Sequence, residues 1–183
     1  MRPDRVWYLA YGSNVSETRF HRYLRGGPTE SGARDTSSPR RSHWTTAPLR
    51  LSFANQSPRW HGCGVAFVDP DPVGTAIVRA WDITGEQFED VFAQENRADV
   101  GATLDWKALA FGPIEAGRGW YRRVLPVEVP IGDGQPALTF TWAAPLPPNQ
   151  PHPDYVETMR AGFSEHPDLD SVQIDAYLDD RLP

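Results

Sequence analysis

The chain has 183 residues, a formal net charge of −6 and one cysteine, Cys63. That length suits one domain with a full hydrophobic core, and the acidic balance argues against a protein held mainly by nucleic-acid phosphate or by an anionic membrane surface. The lone cysteine excludes an internal disulfide and any multi-cysteine zinc or iron–sulfur site, and a single lysine, Lys107, against seventeen arginines leaves Schiff-base chemistry one candidate.

Residues 5–11 read as a buried strand, short, aromatic-rich and ended by Gly12-Ser13-Asn14. The run Val6–Tyr11 is too short for a signal-peptide core with its cleavage site and far too short to span a bilayer, and no later run approaches a membrane span. With a free cysteine and no export signal, the expected location is the cytoplasm. A helix follows over Ser16–Leu24, with Ser16 as its cap and Phe20, Tyr23 and Leu24 as its apolar stripe. The segment 25–46, rich in Gly, Pro, Ser, Arg and Asp, has no sustained period; a loop of that length suggests a mobile flap.

Strand signals return at Leu49–Ala54, Gly64–Val68 and Thr75–Ile83. Thr84-Gly85-Glu86-Gln87 is a capping-box pattern that opens a helix running to about Arg97. Further strands are expected at Lys107–Phe111, Trp120–Val129 and Ala137–Trp142. The Pro-rich stretch Pro145–Pro153 then breaks the sheet and leads into helices near Asp154–Ser164 and Ser171–Asp180. Many strands with few helices, in no strict βαβ alternation, predict an α+β domain over residues 1–183, a small mixed β-barrel or sheet with flanking helices. No Gly-rich nucleotide-binding motif follows any strand.

Two places offer chemistry. At Gly12-Ser13-Asn14 a strand ends and a helix begins, so consecutive backbone N–H groups suit a carboxylate or a developing oxyanion. The alternative is an ordinary turn in which Ser13 or Asn14 caps the helix. Ser13 lacks the G-x-S-x-G context of a serine nucleophile. The second place is Glu95, which shares a helix face with Phe88, Val91 and Phe92 while Glu86, Glu89 and Asp90 turn towards water. A carboxylate in an apolar stripe is either a general acid/base tuned by burial or a core residue paired with an arginine. Metal ligation has little support. His61 and Cys63 are close, but His21, His43, His152 and His166 show no ligand spacing, which disfavours a zinc-dependent deacetylase or hydrolase. The basic cluster Arg34, Arg40 and Arg41 reads as solvated, with a possible role in attracting an anionic substrate.

Tyr8-Leu9-Ala10-Tyr11-Gly12-Ser13-Asn14 resembles the strand-end signature of the γ-glutamylcyclotransferase-like family. The resemblance continues in order through Leu51-x-Phe53, Trp60-His61-Gly62 with Ala66, Ala80-Trp81-Asp82-Ile83, Gln94-Glu95, and Pro153-x-Tyr155 with Gly162. The chain departs from that pattern at Val15, at Phe92, at Asn96 (where a glycine commonly follows the glutamate) and in the length of segment 25–46. The resemblance implies a cofactor-free, metal-free enzyme that cyclises a γ-glutamyl amide to 5-oxoproline and releases the amine. Glu95 would be its general acid/base, and Tyr8, Tyr11, Gly12, Ser13, Asn14 and Tyr155 would bind substrate. Its partner would be a small γ-glutamyl substrate, with no nucleic acid and no membrane. Another acyl-transfer or cyclisation reaction in the same pocket, or a non-catalytic small-molecule binder, are the alternatives.

Overall fold

In the computed structural model, which describes residues 1–183, the first strand β1 (Arg5–Ala10) lies inside a mixed six-stranded sheet. It is buried on both faces, so its sequence is an unbroken apolar run rather than an alternating one. On one side β5 (Ala76–Thr84) runs antiparallel, with Tyr8 opposite Trp81 and Ala10 opposite Arg79. On the other β8 (Ala137–Thr141) runs parallel. β2 (Ser42–Ala47) pairs with β5 at one edge, while β7 (Arg123–Pro126) and the two-residue β6 (Ile114–Glu115) extend the sheet beyond β8. The hairpin of β3 (Leu49–Ser57) and β4 (Cys63–Pro70) forms a second, two-stranded sheet. Thr141 stitches the two sheets together, its hydroxyl donating to the Val68 carbonyl at 2.7 Å and accepting the Val68 N–H at 3.1 Å. The fold is therefore α+β with a mixed sheet and a few flanking helices, as expected; the strands pair as a six-stranded sheet and a two-stranded hairpin.

Five helices flank the strands. α1 (Glu17–Arg25) is capped by Ser16 and buries Phe20, Tyr23 and Leu24. α2 (Gly85–Glu95) opens on the full capping box: Thr84 Oγ1 accepts the Gln87 N–H at 3.1 Å and Gln87 Oε1 accepts the Thr84 N–H at 3.0 Å. Such a cap stabilises a helix by about 1 kcal/mol. α3 (Trp106–Leu109) is a single turn. α4 (Pro153–Phe163) and α5 (Ser171–Asp179) close the chain, burying Met159, Phe163, Ile174 and Leu178.

The structure corrects four expectations. The strand expected at Lys107–Phe111 is replaced by α3, because Asp105 accepts the Ala108 N–H at 2.9 Å and caps a helical turn. The strand expected over Trp120–Val129 shortens to β7; it stops at Pro126, which has no N–H to donate to a ladder. Segment 25–46 is not a free flap. Its end is β2, and residues 26–41 are tied along α2: Gly32 N–H donates to Gln94 Oε1 (3.1 Å), Arg34 N–H to Asp90 (2.9 Å), and Gln87 Nε2 to the Ser37 carbonyl (2.8 Å). Finally, Glu89 and Asp90 are buried rather than turned to water. Glu89 accepts from Leu104 N–H, Trp106 Nε1 and Arg2, and Asp90 accepts from Arg34 and the Gly101 N–H. These carboxylates hold loops on the outer side of α2, leaving its C-terminal end for the site.

Candidate active site

β1 delivers the chain to a tight 3-10 turn, Ser13–Val15, before α1 begins. The turn is fixed from below. Trp81 Nε1 donates to the Asn14 carbonyl at 3.0 Å, and the buried Arg79 donates to the Val15 carbonyl at 3.1 Å. It is fixed from the side by α4, whose Gly162 packs so closely that an added Cβ would lie 2.7 Å from Val15 Cγ2 and 2.8 Å from the Ser16 nitrogen. Gly12 lies at the floor, where an added Cβ would come within 3.1 Å of Tyr155 Oη and 3.3 Å of Ala66 Cβ. The Tyr155 hydroxyl itself accepts the Ala66 N–H at 3.2 Å.

These residues open into a cleft of about 720 Å³. Tyr8, Tyr11, Gly12, Ser13, Asn14, Glu95 and Tyr155 all line it, so the residues that the family resemblance assigned to a site fall in one place. Glu95 is the last residue of α2 and is half-buried; Phe88, Val91 and Phe92 enter the core, whereas Glu95, one turn later, faces the cleft. Asn14 Nδ2 donates to Glu95 Oε1 at 2.8 Å and to Tyr8 Oη at 3.3 Å. Asn14 is only 4% exposed, and its Oδ1 is buried with no hydrogen-bond partner. Ser13 Oγ accepts from Arg19 Nε at 2.7 Å, and Tyr11 Oη donates to the Phe140 carbonyl at 2.8 Å.

Glu95 is the one carboxylate lining the cleft. The surrounding phenols are held neutral: burial drives Tyr8, Tyr11, Tyr23 and Tyr121 far above the ordinary phenol range, and it pushes Tyr155 up to about 12. At neutral pH they act as hydroxyl donors or acceptors and not as bases. The cleft thus holds one carboxylate, Glu95, beside a buried amide acceptor and a row of neutral hydroxyls.

Sequence reasoning missed the cationic and aromatic part of the lining, including Arg19, Arg59, Arg118 and Trp120. Arg19 lies one turn into α1, at a position whose burial only the packing of Tyr23 and Ser13 reveals. The basic cluster noted in the sequence is elsewhere: Arg34 pairs with Asp90, and Arg40 and Arg41 pair with the buried Asp82. No three His, Cys, Asp or Glu side chains converge into a metal-binding group.

A mixed sheet with β1 inside it, a tight turn after that strand and flanking helices make up a γ-glutamylcyclotransferase-like fold. A solved structure of a γ-glutamyl cyclotransferase superposes with a TM-score of 0.63 at 17% identity, covering 98% of this chain and 89% of that one. An uncharacterised human protein superposes with a TM-score of 0.62 at 18% identity over the same shares, and YkqA from Bacillus subtilis with 0.56 at 14% identity, covering 97% of this chain and 55% of that one. In sequence the chain is 30% identical over 203 residues to histone deacetylase 5 of Arabidopsis thaliana. That match covers 95% of this chain, which spans only 30% of the length of the Arabidopsis protein. No family model matches the sequence.

Proposed function

We propose that the protein is a γ-glutamylcyclotransferase that converts a γ-glutamyl amide to 5-oxoproline and a free amine, with Glu95 as general acid/base. The observation that carries this reading is the Asn14–Glu95 bond of 2.8 Å, which joins the strand-end turn to the cleft's one carboxylate. The substrate supplies its own nucleophile, so holding its α-amine against its γ-carbonyl removes most of the entropic barrier. The neutral α-amine attacks the γ-carbonyl carbon, and the proton it sheds passes to Glu95. Collapse of the tetrahedral intermediate breaks the C–N bond to the leaving amine, whose nitrogen takes that proton from Glu95. The carboxylate is thereby regenerated without a cofactor.

Asn14 has a double part in this reading. Its Nδ2 aims Glu95, and its unpartnered Oδ1 is the acceptor that an incoming α-amine N–H would satisfy. The backbone at Gly12–Asn14 would carry the substrate carboxylate or the oxyanion, and Tyr155 would close the floor. The deacetylase name of the Arabidopsis relative does not transfer: it belongs to a protein of which this chain matches 30%, and no ligand set for a catalytic zinc is assembled here. We place the activity in the cytoplasm, carried by a single domain.

The test is direct. Purified protein is incubated with a panel of γ-glutamyl dipeptides and γ-glutamylamines, and 5-oxoproline is followed by mass spectrometry. Product from at least one member supports the reading; a ligand that binds the cleft with no product from any member moves the assignment to a non-catalytic binder.

A further inference from the structure

A second cavity, of about 480 Å³, opens between α1 and α4, apart from the turn at Gly12–Asn14 and from Glu95. Arg19, Arg59 and Trp60 line both this cavity and the cleft, so these three side chains are a wall shared by the two. Gly162 presses α4 onto the turn at Val15 and Ser16, and the cavity lies along the helix faces that continue from that contact. Thr18 and Arg22 come from α1; Asp154, Glu157 and Thr158 come from one face of α4, at the spacing that stacks side chains along a helix.

The two walls carry opposite charge without neutralising each other. Where this fold lets a guanidinium reach a carboxylate it pairs them, as at Arg34–Asp90 and Arg79–Glu165. Here the cavity stands between Arg22 and Asp154, and no ion pair joins them. Asp154 approaches His152 Nδ1 at 3.6 Å, but that nitrogen accepts the Asp154 N–H and so offers the carboxylate no proton. Glu157 is engaged only along its own helix, by Arg160 at 2.6 Å, and the Thr158 hydroxyl turns to the Asp154 carbonyl at 2.8 Å. An anion drawn to Arg22 meets Asp154 and Glu157, and a cation drawn to Asp154 meets Arg19, Arg22 and Arg59. A molecule that carries both charges satisfies both walls.

We infer that this cavity is a second, regulatory ligand site that takes a zwitterion, a free α-amino acid, with its carboxylate at Arg22 and Thr18 and its ammonium at Asp154 and Glu157. The shared wall gives the occupant its route to the cleft. Arg59 is held from the cleft side, its Nη2 donating to Thr29 Oγ1 at 2.9 Å and to Glu30 Oε1 at 3.0 Å. A ligand carboxylate competes with Glu30 for that guanidinium. Trp60, the next residue, packs on Tyr155 at the cleft floor with ring centroids 5.0 Å apart, so a shift of Arg59 reaches the floor. Binding does not depend on the cyclotransferase reading; the regulatory effect is read through it.

The experiment titrates alanine and glutamine, each also as its N-acetyl and its amide derivative, calorimetrically into wild type, Arg22→Gln, Asp154→Asn and Glu95→Gln. The free amino acids are expected to bind wild type and Glu95→Gln alike. Removing either charge of the ligand, or either charge of the protein at Arg22 or Asp154, is expected to weaken binding about three- to tenfold, the scale of an exposed charge-assisted contact. Arg22 and Asp154 are exposed and lie outside the cleft lining, so both variants should melt within about 4 °C of wild type. Equal affinity for the free, acetylated and amidated forms would overturn the site, as would an affinity that neither variant changes. Binding of both amino acids weaker than about 10 mM overturns it too. For regulation, KM for a γ-glutamyl amide is measured with and without the tighter-binding amino acid. A change of at least about twofold in wild type that is lost in Arg22→Gln is expected, since coupling between two sites is carried by ligand affinity; an unchanged KM would overturn the regulatory role. If no γ-glutamyl amide yields 5-oxoproline, the cyclotransferase reading fails by itself, and the calorimetry still decides the zwitterion site.

Discussion

Replacing Glu95 by Gln separates catalysis from structure, because the geometry around it predicts opposite magnitudes for the two. Glu95 makes no ion pair; its oxygen accepts a hydrogen bond from Asn14 Nδ2 at 2.8 Å, and a Gln side chain of the same length accepts the same bond through Oε1. What is lost is the extra strength of a charged acceptor over a neutral one, about 1 kcal/mol. For a chain of this size that is a fall in Tm of about 2–4 °C. The chemistry loses much more, since an amide neither takes the proton of the attacking amine nor returns it to the leaving nitrogen. Removal of a positioned general acid/base costs about 10²–10⁴ in kcat. The assay pairs 5-oxoproline release with thermal melts of both proteins at neutral pH. The acid/base role of Glu95 fails if Glu95→Gln keeps kcat within threefold of wild type. It also fails if the variant loses more than about 3 kcal/mol of stability, the signature of a broken buried ion pair, for then the carboxylate serves the fold.

Three further outcomes follow from the same contacts. Asp82 is fully buried and accepts from Arg5, Arg40 and Arg41; burial opposes its charge, but the three guanidiniums outweigh it and hold its pKa below the ordinary 3.8. Its contribution is full above about pH 4 and is lost as pH falls through the lower folded pKa. Asp82→Asn should therefore cost roughly 2–3 kcal/mol by denaturant titration at pH 7, less than a fully buried pair because the arginines are partly exposed, and its deficit should shrink below pH 4; a deficit independent of pH would refute the assignment. Gly119→Ala should destabilise the protein by about 1–3 kcal/mol through overpacking, since a Cβ there would fall onto the Asn96 side chain, and adding Asn96→Ala should recover part of that loss; no recovery in the double variant would place the clash elsewhere. Deleting residues 28–40 should lower Tm by more than 10 °C, because the deletion strips partners from Asp90, Gln87 and Asp82; a wild-type melting temperature would restore the flap.

Much of the fold was legible in one dimension because the signals are local. The capping box at Thr84–Gln87, the unbroken apolar run of β1 and the cap at Ser16 each act within a few residues. The site's first half was legible for the same reason: Gly12-Ser13-Asn14 ends a strand, and Glu95 follows Phe88, Val91 and Phe92 on one helix face. What periodicity misjudged was the meaning of that face. A 100° stripe ranks residues by direction but not by depth, so it sent Glu89 and Asp90 to water although the loops at Arg34 and Leu104 fold back to bury them. It likewise set Glu95 in the core, although the helix ends there and opens onto the cleft. β2 was hidden by the Gly- and Arg-rich segment before it, and its strand character depends on pairing with the distant β5, from Ser42 opposite Trp81 to Ala47 opposite Ala76. The cationic part of the cleft lining was invisible for the same physical reason. Arg97 and Arg118 become neighbours of one cleft only through the Asn96–Tyr121 hydrogen bonds, and no local pattern encodes a contact between residues 25 apart in sequence.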